Sequence, residues 1–449
     1  MYVSSVLLWM LLAALAASAL LVWLGRIPIQ YNLRNLVVRW KTTLLTALAF
    51  TAVIALLTVM MAFVNGMYQL TATSGQPGNL IILSDGVTDE VFSNIAFADA
   101  GDIEIDERIV REDGQPLCSH ETYLVVNQPI LHPQPGRPLR RFLQIRGVDN
   151  PEISARVHGL ELLPGGAWFG TGVRDLPQAG GDASPPQSAI EVVLGEGIAR
   201  ELGRDRDRQQ LASARHPQRL DVGDTFELNA RQWLVVGVMN SAGSTFDSEV
   251  WGKRALLGPM FGKETYTSLV LRTADAAAAR EAKRYFSEDF QKAAVQPLVE
   301  TEYFASLNDT NRQFLVGVVF VTIVMAVGGV FGVMNTMFAA ISQRIRDIGV
   351  LRLLGYQRWR ILISFVLESL FLALLGGAVG ALLGGLCDGV TANSVVSAGP
   401  GGGKFVVLRM VVGADTLALG LLLSLAMGFL GGLIPALSAM RLKPLDALR

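Results

Sequence analysis

Five apolar runs of about eighteen residues or more stand out from an otherwise ordinary mixture of polar and apolar positions. They lie at about Val6–Leu24, Leu44–Val64, Phe314–Ile341, Ile361–Leu386 and Leu417–Leu437. An apolar helix of about 20 residues crosses the hydrocarbon core of a bilayer, so the pattern predicts five transmembrane helices. The third run exceeds what spanning needs and predicts a stalk continuing out of the bilayer. Between the second and third runs the pattern changes. Short strand-like stretches recur at Asn79–Leu83, Glu121–Val126, Phe142–Val148, Ser188–Leu194, Thr225–Leu228, Trp233–Val238 and Ser268–Arg272. Two helices are expected among them, Glu196–Leu202 after Gly195 and Ala274–Phe290 with Thr273 as its N-cap. Glycines and prolines punctuate 164–187, which reads as exposed loop. The expected class is an α-helical membrane protein, with about five transmembrane helices and a large mixed α/β extracytoplasmic domain. Within that domain, a middle lobe near 150–240 and a core built from its flanks are expected.

Charge orients the spans. Basic residues gather on the cytoplasmic side of short loops. Segment 26–43 carries Arg26, Arg34, Arg39 and Lys41, loop 342–360 carries Arg344, Arg346, Arg352, Arg358 and Arg360, and the tail carries Arg441, Lys443 and Arg449. Loop 388–411 holds only Lys404 and Arg409 and is expected outside, as are Met1 and the long segment 70–311. The first run has an Ala-rich stretch at Ala14–Ala16 that suits a signal peptide, but Met1–Ser5 lacks the positive charge such peptides carry. A retained helix is expected. Ile29, Leu33, Leu36, Val37 and Trp40 share one helical face, with Arg34, Arg39 and Lys41 off it. That spacing predicts a helix lying along the inner membrane surface; the alternative is simply the start of the next span. The domains are therefore read as an additional N-terminal helix (1–25), an interfacial helix (26–43), a transmembrane helix (44–69), the extracytoplasmic domain (70–311) and a three-helix membrane domain (312–449).

Composition narrows the chemistry. The 449 residues are 51% hydrophobic and 17% charged, against about a quarter charged in soluble domains. A net charge of −1 carries no nucleic-acid signature. The four histidines lack metal-ligand spacing, and two cysteines, Cys118 and Cys387, leave room for one disulfide at most. Ser119, His120 and Glu121 are neighbours in sequence, which does not make a triad. Gly399–Lys404 resembles a phosphate loop but has Ala398 in place of the first glycine and Phe405 in place of the magnesium-binding hydroxyl. No catalytic site and no cofactor are expected on this chain. Gly376, Gly380 and Gly384, Gly328 and Gly332, and Gly428 and Gly432 form small-residue faces. Such faces let helices approach closely, serving packing within one chain or a seam between two. Glu368 sits about seven residues into the fourth span, ~10 Å along it at 1.5 Å per residue. An ionisable group there is expected to face the protein interior, with Asn335 or Thr336 as partner.

The stretch Met334–Met337, Arg344–Gly355 and Ile363–Glu368 is similar to the MacB/FtsX-type ABC transporter permeases, as is the ending Pro435-Ala436 with Pro444–Arg449. Gly147–Asp149, Val193–Leu202, Val222–Asp224 and Trp233–Val238 resemble the family's periplasmic core domain. The resemblance covers roughly 30–449 and departs from the family's four spans by the additional run at 6–24. It implies a permease of a bacterial inner membrane, of the mechanotransmission class. An ABC-type ATPase chain would carry ATP and magnesium, and a second permease chain, a periplasmic adaptor and membrane lipids would be further partners. Arg344, Arg346, Asp347, Gly349 and Arg352 would form the segment that meets the ATPase, with Glu368 and Asn335 as intramembrane polar residues. The implied activity is export of a substrate from the periplasm or outer leaflet: efflux, or lipid or lipoprotein export. A scaffold that regulates a periplasmic partner without transport is the alternative.

Overall fold

The computed structural model describes residues 2–25, 34, 38, 40–130, 139–176, 188–206, 208–241, 243–396 and 404–441. Most of the expected interfacial helix (26–43), the carboxyl-terminal motif 442–449 and the glycine-rich stretch 399–403 lie outside the described residues. The chain divides into two compact units, one comprising 1–65, 313–390 and 410–449, the other 66–312 with 391–409.

The first unit is helical. Its elements are α1 (Tyr2–Gly25), α2 (Trp40–Ala72, which continues into the second unit), α3 (Asn308–Ser342, which enters from it), α4 (Ile345–Leu353), α5 (Arg358–Gly385) and α6 (Ala414–Arg441). Five of the helices are long and apolar enough to cross a membrane. Phe50, Ile54, Val333, Met337, Phe365, Ala373, Met427 and Ala436 share one core, to which α1 adds Leu11. Glycines set how closely these helices approach. A Cβ on Gly376 would lie 2.5 Å from the Ala47 carbonyl oxygen, and one on Gly380 would lie 2.7 Å from that of Thr51. The Thr51 hydroxyl donates to the Gly376 carbonyl across the same contact at 3.1 Å. Gly428 packs in the same way on Ala373. The faces on α5 and α6 are thus used for packing within the chain. A Cβ on Gly328 or Gly332 of α3 would meet nothing within 4 Å among the described residues.

The second unit is built on one ten-stranded mixed sheet. Its strands are β1 (Asn79–Ser84), β2 (Cys118–Pro129), β3 (Arg140–Val148), β4 (Val173–Asp175), β5 (Ser188–Gly195), β6 (Thr225–Leu228), β7 (Arg231–Met239), β8 (Glu249–Lys253), β9 (Ser268–Arg272) and β10 (Val295–Val299). They run in the order β10-β1-β9-β2-β3-β8-β5-β7-β6, with β4 added to β5. The pairs β3–β8 and β5–β7 are parallel, the latter with a register shift between Val192 and Val193. Two hydrophobic cores form on this sheet. One gathers Leu80, Ile82, Ile103, Leu269, Leu271 and Phe286 from the flanks. The other gathers Leu143, Ile145, Val192, Leu194, Trp233 and Val250 from the middle. The expected two lobes are therefore two cores of a continuous sheet, because β8 bridges β3 and β5.

Two sequence expectations need correction. The helix Ala276–Glu288 is capped by Asp275, whose carboxylate accepts from the Ala277 and Ala278 amides. Thr273 instead donates to the Gly78 and Asp275 carbonyls. The segment between α5 and α6 is not plain loop: β11 (Thr391–Val396) and β12 (Lys404–Arg409) form an antiparallel hairpin. It groups with the second unit, where the Val407 amide donates to the Ser248 hydroxyl at 2.7 Å.

Candidate functional site

Two clusters of polar side chains stand out, one in each unit. The first lies where α3 turns through α4 into α5. The chain leaves α3 at Ser342, and α4 starts at Ile345 with Arg344 at its cap position. Gly355 then takes φ +89°, the left-handed region that glycine tolerates, and α5 begins at Arg358. Ile341 and Ile348 are buried in the membrane-unit core while Arg346 is exposed. A short helix with one side held by apolar contacts and another bearing charge is therefore present.

Arg344 departs from the expectation that it faces outward beside Arg346. It is 5% exposed, and its guanidinium meets the Glu368 carboxylate as a fork, at 2.9 and 3.1 Å. Glu368 thus pairs with Arg344, rather than with Asn335 or Thr336. The reason is geometric: a two-pronged cation satisfies both carboxylate oxygens at once, which a neutral amide or hydroxyl does not. The Thr336 hydroxyl donates to its own helix, to the Val333 carbonyl. Asn335 is exposed on α3. Gly349 is buried within α4, and the Asp347 side chain lies outside the described residues. Arg352 is half-buried and donates to the Met440 carbonyl of α6 at 3.4 Å.

The second cluster follows from strand alternation. Successive side chains on a strand point to opposite faces. Leu124, Leu143, Ile145 and Val250 therefore enter the hydrophobic core, while Glu121 and Tyr123, Gln144 and Arg146, and Glu249 and Trp251 share the other face of β2, β3 and β8. That face is buried too. The Arg146 guanidinium takes both Glu249 oxygens at 2.7 Å, reaches Glu90 at 2.9 Å, and pairs with Glu121. Glu90 is set in place by a short helical turn that the Asp89 carboxylate caps. His158 ends the helix Pro151–His158, which Asn150 caps at its start and Gly159 closes in the left-handed region. Its Nε2 lies 2.6 Å from Glu121 and its Nδ1 lies 3.1 Å from Glu300. Glu300 also accepts from the Gln76 amide and the Asn79 side chain, both at 2.8 Å.

Both ring nitrogens of His158 face carboxylates, which only accept when ionised, so His158 is an imidazolium. Burial alone would push its pKa down, but Glu121 and Glu300 outweigh this and raise it to about 9. Burial likewise would raise Glu121, yet Arg146 and His158 hold it down at about 2. The cluster is closed to solvent and internally paired, so its chemistry is structural. Ser119 donates to Glu121 at 2.5 Å, while His120 points to the opposite face, beside Glu104 at 3.4 Å. The three neighbours thus form no catalytic set. Among the described residues no group of His, Cys, Asp and Glu is arranged to hold a metal ion. Cys118 and Cys387 are free thiols, and burial pushes that of Cys118 well up.

Of the six charged members of this second cluster, Glu121 alone was weighed from sequence, beside Ser119 and His120, and the cluster as a set was not foreseen. The six lie between positions 90 and 300 and carry no spacing motif. The one available signal was ionisable residues inside otherwise apolar strands, such as Arg146 within Phe142–Val148.

Two family models match the chain. The model of the MacB-like periplasmic core domain matches residues 43–288, more than half of the chain. The model of the FtsX-like permease C-terminal region matches 319–444. A macrolide export ATP-binding/permease protein, MacB, of Nitrobacter winogradskyi is 32% identical over 244 residues, which are 50% of this chain and 35% of that protein. An uncharacterized ABC transporter permease of Bacillus subtilis, YknZ, is 26% identical over 250 residues, 54% of this chain and 60% of that one. The chain thus spans about a third to three fifths of the length of these relatives. The crystal structure of the periplasmic region of MacB from Actinobacillus actinomycetemcomitans aligns with 53% of this chain and 95% of its own, at 15% identity and a TM-score of 0.32.

Proposed function

The chain belongs to the MacB/FtsX-type family of ABC transporter permeases, and from that premise we propose that it couples ATP hydrolysis on a separate ATPase chain to motion of its own extracytoplasmic domain. It is a membrane permease subunit with a large extracytoplasmic α/β domain. The observation that supports the coupling role is α4. It is a nine-residue helix set between two turns, with the buried Ile348 and the exposed Arg346, and it lies inside the FtsX-like match. A helix so held can take a push from a cytoplasmic partner and hand it to α3 and α5.

In this reading ATP and magnesium belong to the partner ATPase. Two permease chains in the bacterial inner membrane pair with two ATPase chains, in contact with membrane lipids and a periplasmic adaptor. The cargo is a substrate taken from the periplasm or the outer leaflet, as in efflux, lipid export or lipoprotein export. The macrolide export named for the Nitrobacter relative makes macrolides the first compounds to assay.

The test is purification of the tagged chain from native membranes in mild detergent, with mass spectrometry and an ATPase assay. A P-loop ATPase at equal stoichiometry is expected. Arg346→Glu should reduce its recovery at least fivefold while the permease still inserts. Recovery of no ATPase would overturn the reading. Turnover that answers to a periplasmic protein but to no transported substrate would replace transport by the regulatory scaffold.

A further inference from the structure

The Arg344–Glu368 pair lies away from the exposed charge of α4 and belongs to two different mechanical parts. Arg344 stands at the cap position of α4, while Glu368 sits in α5, about 15 Å from the start of that helix at 1.5 Å per residue. Two breaks in the helical path bound α4. One is the Ser342–Arg344 break and the other is the turn at Gly355. Apolar contacts through Ile348 hold α4 to the core without a preferred direction, and Arg352 ties its other end to the Met440 carbonyl of α6. The forked pair does have a preferred direction. It fixes the distance and the rotation of the α4 cap relative to α5, and both side chains are nearly sealed from solvent.

Glu368 also lines a cavity of about 20 Å³ together with Thr42, Thr43 and Thr46 of α2, and Thr336 and Ala340 of α3. The wall is part polar and part apolar, with Met337 and Leu372 completing it, and the volume suits a single water molecule. The carboxylate thus has hydroxyl-bearing surroundings as well as Arg344.

We propose that Arg344 and Glu368 are positioning residues of the coupling step: their pair makes α4 and α5 move as one body, and α2 and α3 meet it at the threonine-lined cavity. This rests on the reading of α4 as the ATPase-facing helix. It also separates two jobs within one basic segment, with Arg346 presented outward and Arg344 turned inward.

The experiment uses the full chain in lipid nanodiscs, with Cys118 and Cys387 replaced by serine and spin labels at Leu353 and Leu375, both exposed. Pulsed dipolar spectroscopy reads the α4–α5 distance distribution, first without and then with the co-purifying ATPase and a non-hydrolysable ATP analogue. A single narrow distribution is expected, unchanged in width by nucleotide. Arg344→Gln and Glu368→Gln should each broaden it at least twofold, and should lower permease-dependent ATP turnover at least tenfold while the ATPase stays bound. Arg344→Lys, which keeps the charge but loses the fork, should fall between, and the exchange Arg344→Glu with Glu368→Arg should restore the narrow distribution. If the single variants do not insert, Arg344→Lys and the exchange carry the test. An unaltered distribution in the glutamine variants would overturn the proposal. So would a narrow distribution accompanied by loss of the ATPase, since Arg344 would then be a docking contact. The distribution without ATPase tests the pair even where no ATPase is recovered, so failure of the coupling reading and failure of the latch are told apart.

Discussion

At the scale of single residues, His158 is the most informative position in the second unit. Its folded pKa of about 9 lies above the ordinary value of 6.5, so its contribution to stability is present in full below about pH 6.5 and fades as pH rises through 9. Glu121 behaves in the opposite sense. Its contribution is present above its ordinary 4.5 and is lost as pH falls toward 2. At ~1.4 kcal/mol per pKa unit, the histidine contributes on the order of 3 kcal/mol near neutrality. Thermal unfolding of the full chain in detergent, followed between pH 6 and 10, should show a midpoint that drops on the alkaline side. His158→Gln should unfold earlier at neutral pH and show a much flatter alkaline limb. An unchanged slope in that variant would mean another group sets the pH response. Little of this was legible in the sequence beyond a charge, such as Arg146, inside an apolar strand. Four carboxylates and two cations gathered from β2, β3, β8 and three short helical segments have no local signature, and a lone histidine such as His158 reads as an ordinary surface residue until the fold places carboxylates on both its nitrogens.

At the scale of elements, much was legible wherever one periodicity dominates. The apolar runs gave five helices, and the branched and aromatic stretches gave seven of the sheet strands, with Thr225–Leu228 and Ser268–Arg272 at the expected residues. β8 was missed because Glu249 and Lys253 at its ends and Gly252 within it disguise a strand. The β11–β12 hairpin was missed because the glycine-rich sequence between its two strands reads as loop rather than as the link of a strand pair. Glycine faces were legible as contacts but not as to which contact. The distances now make a distinction. Gly380→Leu, with a carbonyl oxygen 2.7 Å from its new Cβ, should cost ~1–3 kcal/mol through overpacking. Gly328→Leu, with open space around it, should leave the melting temperature of the solubilised chain nearly unaltered. Parallel melts of the two variants check this, and equal losses would show that α3 is packed through Gly328 as well.

At the scale of the whole molecule, the distribution of basic residues predicts sidedness. Single cysteines substituted at Arg346 and at Glu288 in a cysteine-free background should differ in reaction with an impermeant maleimide on intact spheroplasts. Glu288→Cys should label, and Arg346→Cys should label only after the membrane is opened. Labelling of both from outside would reverse the topology. The sheet carries a further consequence for how the protein is made. β1 pairs with β9 on one side and β10 on the other, so the first strand to leave the ribosome waits for the last two. Roughly 190 residues separate Leu80 from Leu271, which at ~5–20 residues per second is a delay of about 10–40 seconds. Throughout that interval both edges of an apolar strand lack the partners they have in the finished sheet.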